Sequence, residues 1–253
     1  MKKLIRPGQI IFATGIIALG VLQFFVKDFI VGRPPVVQWA SNVPGKEAWA
    51  FVSGILLIIG GLFILLKRNA SPAAYFIGIF IFIFSFLCRH LPNLFTVTTA
   101  QDVIWQINAH KTLALCGGAF IIADSFHEQS NKIQSILNCI LLALFFIISG
   151  FAHFKFDDFI INDFIPAYIP AHAFWTYFCG IALIAGGVGL LIKQTRKWAA
   201  AFTGLMILLW FFLLHIPRAS SAPHDYSEWM GVCESFTFSG ILFTLAGLSS
   251  KYI

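Results

Sequence analysis

Two stretches decide the fold: Trp49 to Lys67, WAFVSGILLIIGGLFILLK, and Trp175 to Lys193, WTYFCGIALIAGGVGLLIK. Each opens on tryptophan, places a glycine at Gly54 or Gly180, sets a glycine pair at Gly60-Gly61 or Gly186-Gly187, and closes on lysine. A helix needs about 20 consecutive apolar residues to cross the hydrocarbon core of a bilayer. Both stretches therefore predict transmembrane helices, with an interfacial tryptophan at one end and a basic exit at the other. They are too long and continuous for barrel strands, and lipid tolerates only closed backbone hydrogen bonding. The class is all-α.

The correspondence extends outward in both directions. Upstream, Gly20 with Asp28-Phe29-Ile30 matches Gly150 with Asp158-Phe159-Ile160. Downstream, His90-Leu91-Pro92 matches His215-Ile216-Pro217, Trp105 matches Trp229, and Cys116-Gly117 matches Ser239-Gly240. The order is kept through four helices, which predicts two tandem four-helix units, residues 1–126 and 127–253. An even number of spans per unit inserts both in the same sense, so a parallel repeat about an axis along the membrane normal is expected. The glycine pairs read as places of close helix approach.

Apolar runs occur near residues 9–26, 48–66, 72–88, 134–152, 173–192 and 198–214, with weaker ones near 107–123 and 229–247. Together they predict a polytopic membrane protein of about eight spans. The composition agrees: 58% of residues are hydrophobic, 11% are charged, and the mean hydropathy is +0.84. Soluble domains carry about 25% charged residues. The net charge of +6 forms no basic patch among polar residues, which excludes a nucleic-acid surface. Lysines and arginines instead punctuate the apolar runs. The short connections Lys67-Arg68 and Lys193 to Lys197 are cleanly basic, whereas Asp157, Asp158, Asp163, Asp225 and Glu228 fall on the other side. By the positive-inside rule both termini are expected in the cytoplasm. The opening Met1-Lys2-Lys3-Leu4-Ile5-Arg6 resembles a signal peptide, but no small-residue cleavage site follows and the repeat requires the helix, so it reads as a retained first span.

Chemistry-bearing residues gather on one side of that topology. Six histidines, His90, His110, His153, His172, His215 and His224, are placed toward the outer face, with only His127 toward the cytoplasm. Arg89, Arg218, Trp105 and Trp229 share the outer layer. Imidazole titrates near neutrality and ligates metals, so this layer suits a proton relay, a metal or a haem, while interfacial anchoring is the plain alternative. No histidine pair has helical spacing, so the identity of any metal stays unknown. Lys111 and Glu234 are repeat equivalents of opposite charge, each expected about one turn inside a span. Placing either in hydrocarbon costs about 2.5–3.5 kcal/mol, so they are expected to pair near the pseudo-axis. Cys88, Cys116, Cys139, Cys179 and Cys233 show no C-x-x-C spacing and read as buried thiols. The chain has no G-x-G-x-x-G, P-loop or G-x-S-x-G signature, so it carries no ATPase of its own.

The repeated unit resembles the DoxX/DoxD superfamily of small bacterial membrane proteins. The resemblance is carried best by Ser149-Gly150-Phe151-Ala152-His153-Phe154, then Phe164-Ile165-Pro166-Ala167-Tyr168-Ile169-Pro170, then Trp175, Gly180, Gly186-Gly187-Val188-Gly189-Leu190-Leu191 and His215-Ile216-Pro217. In the first half Gln23 stands where His153 does, and the proline-rich loop becomes Arg33-Pro34-Pro35. The resemblance implies an inner-membrane location and, from some relatives, quinone-coupled or thiol redox chemistry. A quinone is the cofactor it points to. Any family site carries over to His153 and His215, and the Gln23 exchange makes the halves unequal. The leading expectation is a quinone-linked membrane redox component with an outer-facing site. In it His153, His215, Glu234 and Lys111 do the chemistry, while His90, Arg89, Arg218, Trp105 and Trp229 bind the cofactor. A redox protein or a second copy would be the partner. The rival expectations are a carrier for a small or lipophilic solute and a non-catalytic subunit of a membrane complex.

Overall fold

The computed structural model describes residues 1–29, 44–91, 101–129 and 131–248, without the side chains of Arg89 and residues 101–105. The expected roles of Arg89 and Trp105, and the Arg33-Pro34-Pro35 loop, lie outside what is described. Among the described residues every regular element is helical. Eight long helices follow one another: α1 (Ile5–Val26), α2 (Lys46–Leu65), α3 (Ala70–Ile81), α4 (Gln101–Asp124), α5 (Lys132–Lys155), α6 (His172–Leu191), α7 (Lys193–Trp210) and α8 (Tyr226–Leu248). Seven of them, α3 and α7 being counted with the helical segments that continue them, are long and apolar enough to cross a membrane. This is an integral membrane protein by length and composition. The exception is α4, which has 24 residues but a more polar sequence.

The helices form a closed ring in chain order, each packing on the next, with α8 returning to α1. Across the ring α4 touches α8. In α8, 83% of the apolar window is buried inside the protein, whereas in the stretch containing α7 the share is 22%. One helix is therefore interior and the other faces lipid. Because α1 packs on α8 and α4 on α5, residues from both halves of the chain share a single core that includes Phe12, Ile16, Leu57, Ile77, Leu115, Phe146 and Leu242.

Glycine decides where the helices can touch. A Cβ on Gly20 would lie 2.6 Å from the Gly54 carbonyl oxygen, and one on Gly150 would lie 2.6 Å from that of Gly180. Likewise Gly61 abuts the Ala13 carbonyl at 2.9 Å and Gly187 that of Ala143 at 2.8 Å. Backbone-to-backbone contact of this kind is how helices gain packing energy in lipid, where burial from water contributes nothing. The same contact thus occurs between α1 and α2 and between α5 and α6.

Three features depart from sequence expectation. Helix α4 begins at Gln101, so Lys111 lies nearly three turns inside it rather than one. The polar residues before Lys111, among them the buried Asn108, do not stop the helix. Helices α3 and α7 do not end as plain α-helices. Each widens into a π-helical segment, Phe82–His90 and Phe211–His215, whose last residue is a histidine. Composition gives no sign of such widening, because the change lies in the hydrogen-bond register. Between α5 and α6, Asp157–Phe159 and Ile160–Phe164 form two short helical turns that lie over the histidine-bearing end.

Candidate functional site

The site is built where α5, α6 and α7 meet. The Gly150–Gly180 crossing brings α5 against α6, and His153 follows one turn later, so close that a Cβ on Gly180 would lie 3.0 Å from the His153 Cβ. His153 Nδ1 is 2.8 Å from the Ser149 carbonyl oxygen. A carbonyl can only accept, so Nδ1 carries the hydrogen and the neutral ring presents Nε2 as an acceptor. From α7, the π-helical widening delivers His215, whose ring stands edge-on to Phe164 at 6.3 Å. Such widened turns recur at functional sites because they shift a side chain out of the α-helical register.

These two histidines line one chamber of about 260 Å³. Its remaining polar lining comes from Thr176 and Cys179, and the apolar walls include Trp175, Phe164, Leu183, Met206, Trp210 and Leu214. Thr176 donates its hydroxyl hydrogen to the His172 carbonyl at 2.9 Å, which leaves its oxygen lone pairs for the chamber.

A clasp holds the roof in place. Arg218 donates from Nη1 to the carbonyls of Asp163 and Phe164 at 3.0 and 2.7 Å. Its Nε and Nη2 grip the two Glu228 oxygens at 3.0 and 2.6 Å, and the guanidinium lies 4.5 Å from the Phe164 ring centre. The planar fork suits this bidentate geometry. His172 Nδ1 lies 2.8 Å from the Ile161 carbonyl and secures the other side of the roof.

The remaining nominated residues lie elsewhere. Lys111 and Glu234 pair at 2.7 Å where α4 meets α8, with side chains only 8% and 6% exposed. The pair forms no wall of the chamber. His90 is buried on α3, which contributes nothing to the chamber either. Trp229 donates Nε1–H to the Pro223 carbonyl at 3.1 Å and packs against the main core. Arg218 acts through the roof it fastens. Among the described residues no group of three or more His, Cys, Asp or Glu side chains could hold a metal ion.

Sequence reasoning passed over Thr176, Cys179 and Trp210. The spacing of Thr176, Cys179 and Leu183 sets all three on one helical face, which was the available signal. What the sequence does not reveal is that this face looks into a space.

The first half has a small cavity beside its own glycine crossing, Gly20 on Gly54. Gln23, three residues after Gly20 as His153 is after Gly150, accepts from Ser53 Oγ at 2.5 Å. The cavity beside Ser53 is only about 80 Å³, lined by Phe29, Phe80 and Phe84 and flanked by the Lys46–Asp28 ion pair at 3.0 Å. The Phe80 and Phe84 rings, 4.6 Å apart, form part of its wall.

A model of a family described as a domain of unknown function, DUF8561, matches residues 142–232. The matched segment contains every residue that lines the chamber. No curated protein and no solved structure matches the chain.

Proposed function

We propose that this protein is a membrane redox component that binds a quinone in the chamber of its second half. The observation that carries the reading is the joint lining of one chamber by His153 and His215, with a hydrogen-bond acceptor at His153 Nε2 inside mostly apolar walls. Ligand sites are concave, mostly apolar, and carry a few placed polar groups that fix orientation. A chamber of about 260 Å³ admits a small substituted ring but not a haem. The donor set fits as well: imidazole can accept a proton from a hydroxyl or, once protonated, donate to a carbonyl.

A quinone would supply two-electron, two-proton chemistry there. The chain's own share is to hold and move the protons: His153 at Nε2, with His215 as the second exchangeable group on the opposite wall. Thr176 and Cys179 orient the ring, and the Arg218 clasp keeps water off by fixing the roof. Lys111 and Glu234 hold the crossing of α4 and α8 from which this geometry hangs. In this reading the eight helices all span, as two parallel repeats of residues 1–126 and 127–253. Both termini lie on the cytoplasmic side of the inner membrane, and the chamber faces outward. Only the second unit has kept a working site.

Native mass spectrometry of protein released from mild detergent tests this. The expected result is one retained quinone per chain, lost in His153→Ala and in His215→Ala while the fold persists. A wild-type protein that retains none, and takes none up on incubation with a short-chain quinone, would overturn it. A carrier function is favoured by one observation only, the buried ion pair between α4 and α8, and transport abolished by Glu234→Gln would support that reading instead.

A further inference from the structure

Trp175, Met206 and Trp210 line the chamber and also line a much larger space, an apolar groove of about 1020 Å³ between α6 and α7. Along α6 the groove extends from Trp175 to Ile192, about 26 Å at 1.5 Å per residue. Its rim residues Phe178, Val188, Phe202, Leu205 and Leu209 are exposed on the surface that meets lipid. Small residues hollow it out. Ala182, Ala185 and Gly189 lie along α6, and a Cβ on Gly189 would already sit 2.7 Å from that of Ala199.

The matching positions of α2, aligned through Trp49 and Trp175, are Leu56, Ile59 and Phe63. So the half that carries His153 also carries three small residues along the groove, and the half that carries Gln23 fills the same line with three large ones. Chamber, groove and small-residue line thus occur together in the half that carries His153.

We propose that they form one site, for a membrane-borne amphiphile with a polar ring head and a single hydrocarbon chain that enters sideways from the bilayer. The head sits against His153 and His215. The chain lies in the α6–α7 groove, and the edge-to-face pair of Trp175 and Trp210, 5.7 Å apart at 82°, forms the neck between them. This rests on the quinone reading for the head and adds the class of tail and the route of entry.

The test uses the whole protein in lipid nanodiscs and two probes, a tailless substituted benzoquinone and the same ring bearing a decyl chain. Ala185→Trp places a large ring in the groove at an exposed position, away from the chamber walls. Lost burial of even two methylenes is worth roughly ten-fold in affinity. The expected result is about a ten-fold or greater loss for the decyl probe, with the tailless probe unchanged within about two-fold. Equal loss for both, or no loss for either, would overturn the proposal. A photoreactive diazirine at the end of the chain gives a second readout on the unmutated protein. Adducts are expected on α6 and α7 residues of the groove. Adducts scattered around the lipid-facing belt, or cross-links from the groove to a second copy, would overturn it. If the tailless ring does not bind the wild-type protein, the quinone reading fails, and adduct mapping with a chain-bearing probe of another head still decides the groove.

Discussion

Replacing Lys111 by methionine should be among the most damaging single changes in this protein, and replacing Glu234 as well should repair most of the damage. The two side chains are 8% and 6% exposed and meet at 2.7 Å. Removing one partner of a buried pair leaves an uncompensated charge and costs about 3–5 kcal/mol, whereas replacing both by apolar groups is often neutral. For a chain of this size about 1 kcal/mol shifts the midpoint by about 2–4 °C. Lys111→Met alone should therefore lower the thermal midpoint by about 6–20 °C in detergent. The double variant Lys111→Met with Glu234→Met should recover at least half of that loss. The assay is a double-mutant cycle read by thermal unfolding of the purified protein, with circular dichroism to show that each variant is helical. If the double variant loses the sum of the two single losses, the charges do not act as a pair and the reasoning fails.

Other outcomes follow from the same geometry. Gly150→Ala puts a Cβ 2.6 Å from the Gly180 carbonyl, so it should cost about 1–3 kcal/mol and impair quinone retention. Gly20→Ala, with the same 2.6 Å approach to Gly54, should cost as much in a thermal melt and leave retention intact. Arg218→Ala should cost about 1–3 kcal/mol and expose the Asp157–Phe164 turns to limited proteolysis. Arg218→Lys should not restore protection, because an ammonium cannot reproduce the bidentate grip on Glu228 together with the two carbonyl contacts. Ala171, which precedes α6, has a left-handed backbone at φ 57°. Ala171→Gly should raise stability by about 1 kcal/mol, measured as a higher midpoint with unchanged helicity.

The helices were legible because lipid imposes one strong requirement, length with apolarity, and the described residues meet it seven times over. The Lys111–Glu234 pair was legible for a related reason: two opposite charges inside apolar helices of a bilayer protein have few other ways to be stable. Helix α4 was harder to delimit, because polar residues such as Gln101, Asp102, Gln106 and Asn108 break up the apolar run at its start. The chamber was half legible. His153 and His215 could be nominated from their place beside Gly150 and Pro217, but a count of outer histidines could not separate them from His90 or His110. That separation depends on which helices form the walls, and on π-helical widening that leaves no trace in composition. The clasp formed by Arg218 was not legible, since its guanidinium reaches the Asp163 and Phe164 carbonyls, which sequence spacing does not bring near. Cavity volume was not legible at all. The small residues Ala182, Ala185 and Gly189 gain meaning only once they are seen to line the α6–α7 groove.

The most direct test of the account is equilibrium titration of the nanodisc-held protein with a short-chain quinone, for wild type, His153→Ala and His215→Ala side by side. One saturable site per chain is predicted, weakened by about ten-fold or more in each variant. Absence of saturable binding, or equal affinity in all three proteins, would contradict it.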